Sequence, residues 1–422
     1  MVDGHRGRAR RADLDPGPAL SLIHMQRLGE RRRDGGGGPM IEFRPSGLTE
    51  DEEKLRTEVR EFVAEEFPSG TYLPELGINA AADPEFSRRL AARGWVGMVV
   101  PEEYGGPGRS ATERFLVVEE LLAAGAPVGA HWVADRQTAP VILSFGSERL
   151  KREFLPRIVA GDAFFCLGMS EPDSGSDLAS VRTRATRTEG GWLLNGRKVW
   201  TSGAQYCHYA MTLCRTSPQE GRKHVGLSQL IVDLTSDGLT VSPIRLLNGQ
   251  HHFNEVVFTD VFVPDHMVLG EIGSGWHQVT SELAYERSGP DRFLTTFPVL
   301  RYFLDFREVS GPEAELRLGA LAARYWVLRN MSLSIARSLD QGEVPAVEAT
   351  LVKDLGTSFE HDVLDLVRDL TGGEQEPDGD LFGRLLAEAT VTAPTFTLRG
   401  GTNEVLRTVA AKHLLREKRR AL

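Results

Sequence analysis

Cysteine is scarce in this chain: Cys166, Cys207 and Cys214 are the three among 422 residues. They are too few for a disulfide scaffold and lack the close paired spacing of a zinc site. Long apolar runs are missing too, and none approaches the ~20 residues that cross a bilayer. Nor is there an excess of positive charge. Forty-nine Lys and Arg stand against 59 Asp and Glu, a net charge of −10. That balance argues against a nucleic-acid binder while leaving room for a local basic cleft around a phosphorylated ligand. No internal repeat is found. What is there, 41% hydrophobic and 26% charged residues, is ordinary for a globular chain of two or three domains. The expectation is a soluble cytoplasmic protein with no membrane and no nucleic-acid partner.

Residues 1–39 differ from the rest. They hold eight arginines, the run Gly35 to Gly38 and few apolar residues. Such a segment cannot bury enough surface to offset its ordering entropy. Asp3, Asp13, Asp15, Glu30 and Asp34 argue against an acid-poor targeting presequence. The expectation is a disordered tail, or a start codon placed too early with Met40 as the true first residue.

Texture then changes twice, predicting an α+β chain with domains over 40–162, 163–275 and 276–422. The first is helical. Thr49 and Glu52 form a capping box, after which Leu55, Val59, Phe62 and Val63 share a face. Asp83-Pro84 is an N-cap with proline at the first helical position, and Gly94 stops that helix. Further helices are expected over 111–124 and 148–159. The second domain reads as strands: 181–187, a Gly190-Gly191 turn into 192–195, then 208–215, 228–234, 239–247 and 253–263. Short runs between Gly, Asn and Pro suggest a compact barrel or sandwich. Helical patterning returns after Trp276 and persists to the end, giving a C-terminal helical bundle.

Three segments carry chemistry. Gly168-Met-Ser-Glu-Pro-Asp-Ser-Gly-Ser-Asp177 is a strand end followed by a loop of small residues. There Ser170, Gly175, Ser176 and main-chain N–H groups suit a polar ring edge or a phosphate, although by itself the composition is better explained as an ordinary turn. Lys198-Val-Trp-Thr-Ser-Gly203 sets the indole of Trp200 beside the hydroxyls of Thr201 and Ser202. That suits a planar heterocycle or an ordinary core. Leu398-Arg-Gly-Gly-Thr-Asn-Glu-Val-Leu406 reads as a helix N-terminus, serving an anion or simple capping.

Together and in this order, these segments resemble the acyl-CoA dehydrogenase family over about residues 49–415. The loop from Gly168 to Ser180 looks like that family's first signature at every defining position. Gly94-Trp-Val-Gly97, Pro101-Glu-Glu-Tyr-Gly-Gly106, Leu155-Pro156, Phe258-Thr-Asp-Val-Phe-Val-Pro264 and Gly401-Thr402 add to the match. The resemblance implies an N-terminal helical domain, a middle β-barrel domain and a C-terminal helical bundle. It also implies FAD, an acyl-CoA or acyl-carrier-protein thioester, and an electron-transfer flavoprotein as acceptor.

Oxidation of a thioester at its α and β carbons needs a carboxylate base and donors for the enolate-like oxygen. Many family members carry the base immediately before the C-terminal Gly-Thr, where this chain has Gly400. A sub-group similar to the isovaleryl- and long-chain enzymes carries a glutamate before an arginine on an earlier helix. Ala284-Tyr-Glu-Arg287 falls there, so Glu286 is expected to be the base, with Glu404 the fallback. By the same match, Leu167, Met169 and Ser170 would meet the flavin's pyrimidine side, and Trp200 to Ser202 its edge. Ser176, Arg287 and Gly401 would touch acyl-CoA, the Gly400 amide would donate to the thioester oxygen, and Thr402 to Glu404 would face FAD.

The chain also departs from the pattern. The Arg-x-x-Phe-Gly segment expected after Arg287 is missing, and Pro312 stands in that region. Asp369 replaces the usual Gln ahead of Gly372-Gly373, three positions the resemblance assigns to cofactor binding, and residues 391–396 lack the customary Arg-Asp pair. These changes leave a homodimer, a homotetramer and a hetero-oligomer open. Two alternatives to the dehydrogenase keep the same fold: a flavin monooxygenase, against which Glu286 counts, and a non-catalytic partner subunit.

Overall fold

The computed structural model describes residues 41–68, 71–76, 81–218, 221–343, 345–372 and 379–420, apart from the side chains of 282–286 and 416–420. The expected tail at 1–39 lies outside the described residues. Residues 41–414 pack as one unit.

The first helix, α1 (Glu50–Glu66), starts at the Thr49–Glu52 capping box and buries Leu55, Val59, Phe62 and Val63. Each such side chain contributes about 1.5–3 kcal/mol when fully buried. Helix α2 (Pro84–Ala92) is capped by Asp83, whose carboxylate accepts from Phe86 N at 3.0 Å. Helix α3 (Ala111–Ala123) opens on a second capping box, Ser110 with Glu113.

Next comes a helix in three pieces. The α-turn α4 (Gly129–Val133) runs into a π-turn, Ala134–Thr138, and on into α5 (Ala139–Phe145). The Ala139 N–H donates to Ala134 O, five residues back. This inserted residue directs both Asp135 and Arg136 into the interior, where they are 5% and 3% exposed. Helix α6 (Glu148–Val159) completes the first helical layer.

A curled seven-stranded sheet follows: β1 (Phe165–Gly168), β2 (Arg184–Thr188), β3 (Gly191–Ser202), β4 (Tyr209–Arg215), β5 (Leu227–Asp233), β6 (Leu239–Ile244) and β7 (Phe253–Pro264). The order is β1-β4-β2-β3-β7-β6, with β5 paired to β4. The sequence suggested separate runs at 192–195 and 198–203. They are one twelve-residue strand, kept in pairing with β7 by shifts between Leu194 and Gly196 and between Lys198 and Thr201.

The remaining helices are α7 (Gly275–Arg287), α8 (Phe297–Phe306), α9 (Pro312–Asp340), α10 (Ala346–Leu370), α11 (Leu381–Thr392) and α12 (Asn403–Arg420). Pro312 sits in the first turn of α9, where its missing N–H costs nothing. The last helical layer closes back on the first: Arg329 of α9 forms a buried two-pronged ion pair with Glu119 of α3 at 2.7 and 2.9 Å.

Candidate active site

The loop after β1 is ordered by one carboxylate. Glu171 accepts from Arg182 N at 2.6 Å, Thr183 N at 2.8 Å and Lys198 Nζ at 2.8 Å. Lys198 is wholly buried in the middle of β3 and also donates to Met169 O at 3.0 Å. Burial works to raise the Glu171 carboxyl, but the Lys198 charge and the donated N–H groups prevail and hold it below its ordinary range. The pair thus rivets the β1 loop to β3. Val199 N donates to Ser170 O at 2.9 Å, so Ser170 and Trp200 lie on adjoining strand ends. Ser176 and Gly175 are exposed on the far side of that loop.

Trp200 has φ 60°, a left-handed conformation rare for a bulky residue. It coincides with the shift in the β3–β7 register. Asn254, fully buried opposite Thr201, stabilises this point: its Nδ2 donates to Thr201 O at 3.1 Å and to Gln205 Oε1 at 2.6 Å. The result is an indole 55% exposed on an otherwise packed strand, edge-on to Phe253 at 5.9 Å. Beside it, the buried Thr201 Oγ1 has no hydrogen-bond partner among the described residues. An open aromatic plate next to an unsatisfied hydroxyl fits a flat, polar-edged ring such as a flavin.

Helix α7 ties this region to the C-terminal glycines. At its start Trp276 and Val279 pack with Met169, Leu178 and Val181. At its end Arg287 Nε donates to Gly400 O at 3.1 Å, and its Nη2 lies 3.3 Å from where a Cβ on Gly401 would be. Glu286 is the neighbouring residue of α7; its side chain lies outside the described residues.

Gly400 has φ +67°, and the space a side chain would need is occupied by the guanidinium of Arg292. Position 400 is therefore a crowded, left-handed glycine rather than an open gap. Behind it lies a cluster that sequence reading missed. Arg136 Nη1 pairs with Asp291 Oδ1 at 2.5 Å, and Arg292 Nε with Asp291 Oδ2 at 3.1 Å. Arg399 Nη2 reaches Glu360 Oε2 at 2.8 Å and Thr295 Oγ1 at 2.7 Å. Burial alone would raise the Asp291 carboxyl; Arg136 and Arg292 reverse that and hold it low. Glu360 goes the other way, since its burial outweighs Arg399.

Lys353 of α10 completes the support. Fully buried, it donates to Thr397 O at 3.0 Å and to Asn403 Oδ1 at 2.6 Å, bracing both ends of the glycine turn. Burial first, then Arg292 and Arg399, bring its ammonium down to about 7. Thr402 Oγ1 accepts from Val405 N at 3.4 Å as the cap of α12. Glu404 is exposed in the first turn of that helix, its carboxyl lowered by backbone N–H donation and by Thr402. Asp369 is not part of this group. It forms an exposed ion pair with Arg317, about 13 Å farther along α10 than Glu360. Gly372 follows α10, and Gly373 lies outside the described residues.

A cavity of about 310 Å3 adjoins the cluster. It lies between α3, the stretch from Trp132 to Ser144, the turn Ser288–Asp291 and α9. Asp291 and Arg136 form part of its wall, and through Arg292 the same ion cluster reaches Gly400.

Comparison with known proteins matches these parts in order. Residues 49–162 match "Acyl-CoA dehydrogenase, N-terminal domain", 166–261 the middle domain and 309–415 the C-terminal domain. "Acyl-CoA dehydrogenase FadE26" of Mycobacterium tuberculosis is 33% identical over 76% of this chain and 84% of its own length. The chain belongs to the acyl-CoA dehydrogenase family. Among solved structures, "Tcur3481-Tcur3483 steroid ACAD" superposes with a TM-score of 0.79 at 29% identity, over 87% of this chain and 98% of that one. The ChsE4-ChsE5 complex from Mycobacterium tuberculosis gives 0.74 at 30% identity, over 87% and 97%. Isovaleryl-CoA dehydrogenases of Solanum tuberosum and Oryza sativa mitochondria also match. The acyl-CoA dehydrogenases are FAD-dependent oxidoreductases, and the expected fold of helical domain, curled sheet and helical region is the one observed. No helix among the described residues is long and apolar enough to cross a membrane.

Proposed function

We propose that the chain oxidises an acyl-CoA thioester to the trans-2-enoyl-CoA, with Glu286 removing the α-proton. The carrying observation is the hydrogen bond from Arg287 Nε to Gly400 O at 3.1 Å. It sets the residue next to Glu286 against the turn whose Gly400 amide would donate to the thioester oxygen. A base on α7 suits a chain in which position 400 has no side chain and Arg292 fills the adjoining space. Bound FAD would supply the acceptor for the β-hydride, with an electron-transfer flavoprotein as the onward electron acceptor.

The chain's own residues divide the work. Leu167, Met169 and Ser170 would hold the ring's pyrimidine side, and Trp200, Thr201 and Ser202 its other edge. Gly175 and Ser176, exposed on the β1 loop, face the phosphate-bearing part of cofactor or substrate. Arg287 anchors the glycine turn while the oxygen's charge develops, and Gly401, whose side-chain position Arg287 closes off, would meet the substrate through its backbone. Likeness to a steroid acyl-CoA dehydrogenase and to a two-chain complex supports a bulky acyl group and an oligomeric enzyme. Exposed Leu398, Val405 and Val409 around the Thr402 turn offer an apolar face for a neighbouring chain.

The test is anaerobic mixing of the flavoprotein with a panel of acyl-CoA thioesters. Substrate should bleach the flavin, and Glu286→Gln should retain flavin while losing at least about 100-fold in bleaching rate. An unchanged rate removes Glu286 as base. Failure to take up FAD at all removes the enzyme reading in favour of a partner subunit.

A further inference from the structure

We infer that the 310 Å3 cavity takes the far end of the acyl group, and that this end carries a hydrogen-bond-accepting oxygen, a ketone or a carboxylate, met by Arg109 and Arg114. The inference rests on the acyl-CoA reading above.

The cavity's position makes it the acyl end. Ser288 and Gly289, the residues directly after the Glu286-Arg287 pair, line one end of it. That end is closed by Ser332 of α9, whose hydroxyl donates to Ser288 O. The opposite end is fixed by Asp340 of α9, which accepts from Ala111 N at 2.6 Å beside Arg109. From Ser332 to Asp340 is eight residues of helix, so the cavity runs about 12 Å away from the α7 terminus.

Its chemistry points to an acceptor. Phe115, Val118, Trp132, Leu143 and Leu339 supply flat apolar walls. The polar atoms between them are unevenly satisfied. Asp340 is spent on Ala111 N, Thr112 N and Thr112 Oγ1. Asp135, just behind the wall, is spent on Gly97 N and Arg114, and Asp291 is ion-paired with Arg136 and Arg292. The Ser144 hydroxyl donates to Pro140 O at 2.8 Å. Donors are left over. Arg114 gives Nε and Nη2 to Asp135, and Arg109 gives Nη1 to Glu113; their other guanidinium N–H groups make no hydrogen bond among the described residues. A plain alkyl tail would desolvate those groups and return nothing, whereas an acceptor oxygen would complete them.

The experiment uses two matched pairs of acyl-CoA thioesters with the holoenzyme, oxygen excluded. One pair is a fused-ring acyl group with and without a ketone at its distal ring; the other is a straight chain with and without a terminal carboxylate. In at least one pair the oxygen should raise kcat/KM for flavin bleaching by about 10- to 100-fold, the range of a hydrogen bond to a charged donor. Arg109→Leu should bring that ratio towards one, and Arg109→Lys should keep part of it. Equal values within both pairs, or a ratio unmoved by Arg109→Leu, overturn the inference. If no thioester bleaches the flavin, the dehydrogenase reading fails separately. Calorimetric affinities of the same pairs then decide the tail inference by the same ratios.

Discussion

The guanidinium of Arg292 lies 3.0 Å from the point where a β-carbon on Gly400 would stand. Gly400 also has φ +67°. Any side chain there meets both backbone strain and a fixed buried cation, so Gly400→Ala should destabilise the protein by about 1–3 kcal/mol in urea titration. A glutamate at 400 would fall into contact with Arg292 and stay ionised and paired. Gly400→Glu in the Glu286→Gln background should therefore restore no measurable bleaching; recovery beyond a few per cent of the wild-type rate would show that Arg292 moves aside.

Trp200 offers a separate test of strain. If its left-handed backbone is imposed by the register shift and by Asn254, glycine is better tolerated there than alanine. Trp200→Gly should be more stable than Trp200→Ala by about 1 kcal/mol, while both lose FAD affinity through the missing plate. Equal denaturation midpoints for the two variants would contradict the strain, and undiminished FAD affinity the plate.

Glu171 and Lys198 should behave as a unit. Glu171→Gln strands a buried ammonium and is expected to cost about 3–5 kcal/mol. The double variant Glu171→Gln with Lys198→Met should recover much of that loss. Additive losses in the double-mutant cycle would mean that the two do not act together.

Lys353 predicts a pH signature. Its folded value of about 7 lies below the ordinary lysine value of 10.5, so between those limits the unfolded chain binds more protons than the folded one. Stability from this residue consequently rises as pH increases from about 7 to about 10, and its penalty is full below about 7. Lys353→Met removes the slope. Denaturation midpoints of wild type and variant should thus converge or cross as pH rises; a constant difference from pH 7 to 10 would contradict the depressed ammonium.

Much of the fold was legible because its signals are local. The Thr49–Glu52 box and the Asp83-Pro84 start both occur as read, since each is set by side chains three residues apart or fewer. The Gly168–Ser180 loop was legible as a motif, yet its organiser was not. Glu171 looked like one more turn residue, and only the fold shows it bound to Lys198, 27 residues on. A lysine directly followed by Val199 and Trp200 within a strand was the available hint. The cluster of Arg136, Asp291, Arg292 and Arg399 was illegible for the same reason at greater range. Its members come from three segments whose charges read as surface. Asp369 was chosen by its place before a glycine pair; its exposed ion pair with Arg317 has no signature in the sequence. Periodicity also passed over the π-turn, whose hydrogen bonding departs from the 3.6-residue repeat by a single residue.

That single extra residue at Ala134–Thr138 sets the phase of everything after it. Removing one residue there would restore a continuous α-helix and rotate α5 by about 100° relative to α4. Pro140, Leu143 and Ser144 would swing off the cavity wall, and the ion pairs of Asp135 and Arg136 could not both survive. The two half-turns are clocked against each other like the wards of a key, and a one-residue deletion at this bend should be far less tolerated than one in a surface loop.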